Sequence, residues 1–150
     1  MISKLKIESV RAEKSVFELN PKFLGSKNDK SVDSDIGTDL KFEVGILINK
    51  NDDSQGIIRL SCEINTDDIE ESPFFMEVTI IGEFSTDEEK FEDFVINSVS
   101  LLFPYLRAHI STVTSISGVD PVIIPAVNIM DLLKESEENE ESEVSENLID

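Results

Sequence analysis

A chain of 150 residues is of single-domain length and long enough to bury a core. Hydrophobic residues at 39% and nine phenylalanines mark a folding sequence, while 32 acidic against 13 basic residues give a formal charge of −19 that excludes nucleic acid as an expected ligand, because its phosphates would be repelled. No stretch approaches a membrane-spanning length, and the single cysteine, Cys62, allows neither an internal disulfide nor a cysteine-built zinc site.

The first ten residues alternate charged and apolar groups and lack the continuous apolar run of a signal peptide, so a cytoplasmic location is expected. Residues 3–19 read as extended, with apolar parity passing from Leu5 and Ile7 to Val10, Ala12 and Val16, then back to Phe17 and Leu19. Such changes predict one β-bulge near residues 8–10 and another near Val16. Asn20-Pro21 ends the strand, and residues 20–38, rich in Lys, Asn, Asp, Ser and Gly, read as a long surface connection.

Leu40, Phe42, Val44, Ile46 and Ile48 then alternate with a second set of residues in period two, the pattern of a strand with one buried face. Ile58, Leu60, Cys62 and Ile64 repeat it, as do Phe74, Met76, Val78, Ile80 and Phe84. Four strands with short polar links between the last three predict an antiparallel meander. Leu47, Phe75 and Ile81 fall on the opposite face, so apolar contact is expected there as well.

Thr86 and Glu89 fit a capping box opening a long helix. Phe91, Phe94, Val95, Val99, Leu102, Leu106, Ile110 and Val113 keep helical spacing as far as Gly118, a left-handed terminator. Ile96, Leu101, Phe103 and Tyr105 lie off that stripe, which predicts cover by the sheet on one side and by another subunit on the other. Pro104 removes a backbone donor and predicts a kink or the start of a second segment. Pro121 and Pro125 mark an extended crossing segment, and Ile129, Leu132 and Leu133 a short amphipathic helix. Residues 135–150 hold eight acids and no base and are expected to be disordered, leaving one α+β domain over residues 1–134.

No phosphate-binding loop, dinucleotide fingerprint, nucleophile elbow or metalloprotease helix is present. His109 has neither a nucleophile nor an orienting acid placed beside it by spacing, so it reads as a helix residue at a subunit contact or in solvent rather than a general base. Asp33, Asp35 and Asp39 around Gly37 fail as a calcium loop, since Val44 occupies the twelfth position where a bidentate acid is needed. No cofactor, metal or catalytic activity is expected, and the acidic balance favours protein partners.

The run Leu101-Leu-Phe-Pro-Tyr-Leu-Arg-Ala-His-Ile-Ser111, followed by Gly118 and by Pro121-Val-Ile-Ile-Pro-Ala-Val-Asn-Ile-Met-Asp-Leu-Leu133, resembles the SecB family of bacterial export chaperones. The order of four strands, long helix, crossing segment, short helix and acidic tail is similar to that family too. The resemblance implies a holdase that works without ATP. It implies a homotetramer, a dimer of dimers, that keeps preproteins unfolded and passes them to the SecA motor. It further implies a client groove at Leu40, Phe42, Val44, Ile129, Leu132 and Leu133, and a SecA-docking surface at Glu18, Phe75 and Glu77. The subunit interface is expected at Leu102, Phe103, Tyr105, Leu106, His109 and Ile110. Phe75 stands where the family has leucine, and Lys14 where it has an acid, a reversal of sign at the docking surface. Some members of the family serve toxin-antitoxin modules by protecting an antitoxin, and this chain is compatible with either role.

Overall fold

The computed structural model describes residues 4–24 and 39–136. Asp33, Asp35, Gly37 and most of the acidic tail lie outside the described residues. Strands β1 (Leu5–Leu19), β2 (Leu40–Ile48), β3 (Gln55–Ile64) and β4 (Phe74–Thr86) form one antiparallel sheet in the order β1-β4-β3-β2. The meander therefore comprises β2, β3 and β4, while β1 joins from the far side, beside β4 rather than β2. The stretch between Leu19 and Leu40 is far longer than a hairpin loop, so nothing forces these two strands to pair.

The register of β1 on β4 shifts between Ile7 and Ser9 and again between Ala12 and Lys14. Glu8 and Glu13 are the extra residues, so the first bulge falls where parity predicts it and the second falls earlier than Val16. Each bulge reverses which residues face the core. With both in place, Ile7, Val10, Ala12, Ser15 and Phe17 stand opposite Phe84, Gly82, Ile80, Val78 and Met76, and Val16 turns outward opposite Glu77.

Helix α1 (Val95–Ile116) crosses the inner face of the sheet. Ile58, Leu60, Cys62 and Ile64 of β3 and Met76, Val78, Ile80 and Phe84 of β4 meet Val99, Leu102, Leu106 and Ile110 of the helix in one core. Burial pushes the Cys62 thiol up to about 12, with the charge of Glu63 adding to the effect. The expected capping box at Thr86 is absent. Thr86 ends β4, where its amide donates to the Ser54 carbonyl at 2.8 Å and its hydroxyl donates to the Glu89 carbonyl. A 3-10 turn at Phe91–Phe94 intervenes, and α1 starts at Val95 with no side-chain cap. The helix continues through Pro104, so no second segment begins there.

After Gly118, with φ of 85°, the chain runs back extended. The Val122 amide donates to Thr114 Oγ1 at 2.9 Å, seating Val122 and Ile124 in the core. Helix α2 (residues 129–136) is capped by Asn128, whose Oδ1 accepts from the Asp131 amide at 3.2 Å.

Candidate functional site

The structure brings β2 and α2 together through one bond: the Val44 amide donates to Ser136 Oγ at 3.0 Å, both residues being buried. Val44 and Leu132 belong to the core, whereas Leu40, Phe42, Ile129 and Leu133 are half-buried against it. Of the six expected groove residues, four thus retain surface that a ligand can touch. The Phe42 ring lies 5.8 Å from that of Phe103, and the Arg107 guanidinium sits 5.3 Å from the Phe103 centroid. Arg107 Nε is buried without a hydrogen-bond partner among the described residues. Further along β2, Ile46, Leu47 and Ile48 are 37%, 57% and 40% exposed, an aliphatic run on an edge strand.

Glu18, Phe75 and Glu77 share the outer face of the sheet, with Glu18 directly opposite Phe75 and Glu77 two residues along. Two cross-strand ion pairs alter the charge of this face. Lys14 pairs with Glu77, whose hydrogen bond and charge hold the lysine above its ordinary value. Arg59 Nε lies 2.8 Å from an oxygen of Glu13, the second bulge residue. On this face Glu77 and Glu13 are thus paired with cations, while Glu63 stands directly opposite Glu77. Lysine at position 14 is what the sequence offers; its partner only the register reveals.

Of the residues expected at a subunit interface, Leu102, Phe103, Leu106 and Ile110 are buried within this chain's own core. His109 is half-buried, with Nε2 2.8 Å from the hydroxyl of Ser15 on β1. Tyr105 remains exposed, together with Ile96 and Leu101. The side of α1 turned away from the sheet, running through Asn97, Ser100, Leu101, Pro104, Tyr105, Ala108, Ser111, Thr112 and Ser115, holds no charged residue, in a chain that is 30% charged. Pro104 also leaves the Ser100 carbonyl on that side without its helical donor. Among the described residues, no three His, Cys, Asp or Glu side chains gather as metal ligands, and no helix is long and apolar enough to cross a membrane.

The family model described as preprotein translocase subunit SecB matches residues 23–140. The chain belongs to the SecB family. An uncharacterized protein of Methanocaldococcus jannaschii is 34% identical to it over 114 residues, 73% of this chain and 74% of that protein. Among solved structures, a Mycobacterium tuberculosis SecB-like chaperone in complex with a ChAD peptide from the HigA1 antitoxin shares the fold. It aligns with a TM-score of 0.59 and 15% identity, over 83% of this chain and 88% of that one.

Within this SecB-family frame, three features are absent from the sequence reading. Ser136 as a cap on β2 has no local signal, because its partner lies 92 residues away. The unshielded Ile46–Ile48 edge depends on strand order, which local pattern does not encode. Arg107 over Phe103 is the exception, since their spacing of four places them on one helix face and was available from the sequence.

Proposed function

We propose that this SecB-family chain is a cytoplasmic, ATP-independent chaperone that holds unfolded polypeptides, including preproteins, on apolar surface. The exposed aliphatic edge of β2 beside the half-buried Leu40, Phe42, Ile129 and Leu133 carries the reading. Scattered apolar side chains along an extended surface accept many sequences, and a net charge of −19 keeps such a surface soluble. The chain acts by binding rather than by catalysis. It assembles as a tetramer, a dimer of dimers, in which the uncharged outer side of α1 packs on other copies; the small Ser, Ala and Thr residues there favour close helix approach. A substoichiometric amount of the assembled protein, without ATP, suppresses light scattering from an unfolded model protein. No suppression at stoichiometric excess removes the reading.

A second reading, service to one partner such as an antitoxin, is favoured by the Lys14–Glu77 pair. That pair mutes the acid face on which the resemblance places SecA docking. The solved SecB-like chaperone of the same fold was captured with an antitoxin peptide. Recovery of one dominant partner from cell extract, rather than a spread of unfolded chains, selects this second role.

A further inference from the structure

The hydrogen-bond phase of β2 is set by the register. Asn49 donates to the Gln55 carbonyl at 3.0 Å and Asn65 donates to that of Asp39 at 3.1 Å, so the odd-numbered residues of β2 exchange bonds with β3. The even-numbered residues, Leu40, Phe42, Val44, Ile46 and Ile48, therefore turn their N–H and C=O groups away from the sheet. Among the described residues, one of these outward groups is engaged: the Val44 amide, held by Ser136 Oγ. The hydroxyl stands where the carbonyl of a fifth strand would stand.

Exposed edges are normally blunted by charge, proline or a bulge. Here Lys41 and Glu43 lie at the start of β2, and the run from Gly45 to Ile48 contains none of these devices. We propose that the edge from Val44 to Ile48 accepts an extended segment of an unfolded chain as an added strand, and that Ser136 is its stop. A segment bonding to Ile46 and Ile48 leaves α2 in place. One that continues to Val44 takes that amide from Ser136 and so competes with the docking of α2. Binding of longer extended segments is thereby coupled to release of the C-terminal helix.

The occupant is an apolar, non-acidic client segment. The chain's own excess of acid disfavours an acidic one. A second copy is disfavoured because a strip of this length cannot supply the roughly 1,600 Å² of a standard stable interface, whereas a transient client contact needs no such area. This inference rests on the chaperone reading and specifies how that surface takes its ligand.

The probe is a synthetic twelve-residue peptide of alternating leucine and serine with lysine at each end, and its twin N-methylated at alternate backbone positions. The unmodified peptide slows amide exchange at Ile46 and Ile48, and binds at least about tenfold more tightly than its twin, since each neutral hydrogen bond contributes a few-fold. Ser136→Ala tightens the unmodified peptide about fivefold by removing the competitor. Ile46→Pro deletes an outward donor without touching the β2–β3 ladder and abolishes the preference between the twins. Equal binding of both peptides, or exchange protection on β1 instead of β2, overturns the inference while aggregation suppression stands unaffected. Protection of Ile46 and Ile48 that arises without peptide and grows with protein concentration assigns the edge to self-pairing and also overturns it. Loss of aggregation suppression itself removes the underlying chaperone reading.

Discussion

The ring of Phe91 lies against Gly56, so close that a Cβ at position 56 would fall 2.0 Å from Phe91 Cδ1. Phe91 is fully buried and stacks at 6.1 Å on Phe84, and its amide donates to the Asp53 carbonyl at 2.8 Å. The missing side chain on β3 is therefore the seat that fixes the turn leading into α1. Gly56→Ala forces this ring out or bends the strand, and is expected to lower stability by about 3 kcal/mol, at the upper end for overpacked cores. Phe91→Leu alone costs less than the alanine truncation, for which about 3–5 kcal/mol is typical. The double variant Gly56→Ala, Phe91→Leu is more stable than the sum of the singles, because the smaller side chain yields room. Urea unfolding midpoints measure all three.

Tyr105 and Leu106 are neighbours in sequence and opposite in exposure, which separates assembly from folding. Tyr105→Glu places charge on the uncharged outer side of α1; it is expected to dissociate the proposed assembly while circular dichroism stays unchanged. Leu106→Ala opens a cavity against β3 and β4 and costs about 2–5 kcal/mol of stability. Mass by light scattering, run beside thermal melts, reads the two effects separately. A Tyr105→Glu protein of undiminished mass removes the proposed packing of α1 on other copies.

Lys14 and Glu77 form an ion pair on the outer face of the sheet. Lys14→Glu removes the ion pair and adds an acid, and is expected to strengthen binding of a SecA-type motor by about tenfold or more, through on-rate and salt dependence. Glu77→Lys weakens that binding and leaves client affinity unchanged. Titrations at two salt concentrations test both, and motor affinity that ignores both substitutions excludes this face as the docking surface.

Lys41 and Asp67 give a pH dependence of known sign. The hydrogen bond from Lys41 pulls Asp67 below its ordinary 3.8, and the same bond raises Lys41 above 10.5. The carboxylate's contribution is present above pH 3.8 and is lost as pH falls through the lower folded value; the lysine's is present below 10.5 and is lost as pH rises through its higher folded value. Between roughly pH 5 and 9 the pair is therefore constant. Asp67→Asn is expected to lower the melting temperature slightly at pH 7 and not at pH 2, both groups being exposed to solvent. Paired melts at these pH values check it.

Much of the fold is legible from residue alternation alone. In β3 and β4 the apolar set is also the buried set, because each strand has neighbours on both sides and one face under α1. In β2 the same alternation is as clean, yet only Val44 is buried; Leu40 and Phe42 are half-covered, and Ile46 and Ile48 keep the pattern without the cover. The bulge at Glu8 follows from the change of parity it serves. The one at Glu13 is displaced from its expected place because Val16 is apolar but faces outward, opposite Glu77. Thr86 and Glu89 carry the spacing of a cap, but the Ser54 carbonyl holds Thr86 in the sheet, a contact 32 residues distant. Phe103 lies off the main stripe of α1 and is buried nonetheless, because Phe42 comes across from β2 to meet it. In each case the residue type was informative, and the missing term was a partner distant in sequence.

Cys62 sits towards the end of β3 with 1% of its surface exposed and its thiol held up at about 12. At neutral pH almost none of it is thiolate, so maleimides and iodoacetamide leave the native protein unmarked. A chain whose single thiol is silent provides a clean background for site-directed labelling. Leu47→Cys places a single reactive handle on the open edge of β2, and a spin label or dye attached there reports distances between copies and the arrival of a client, with no native residue needing removal.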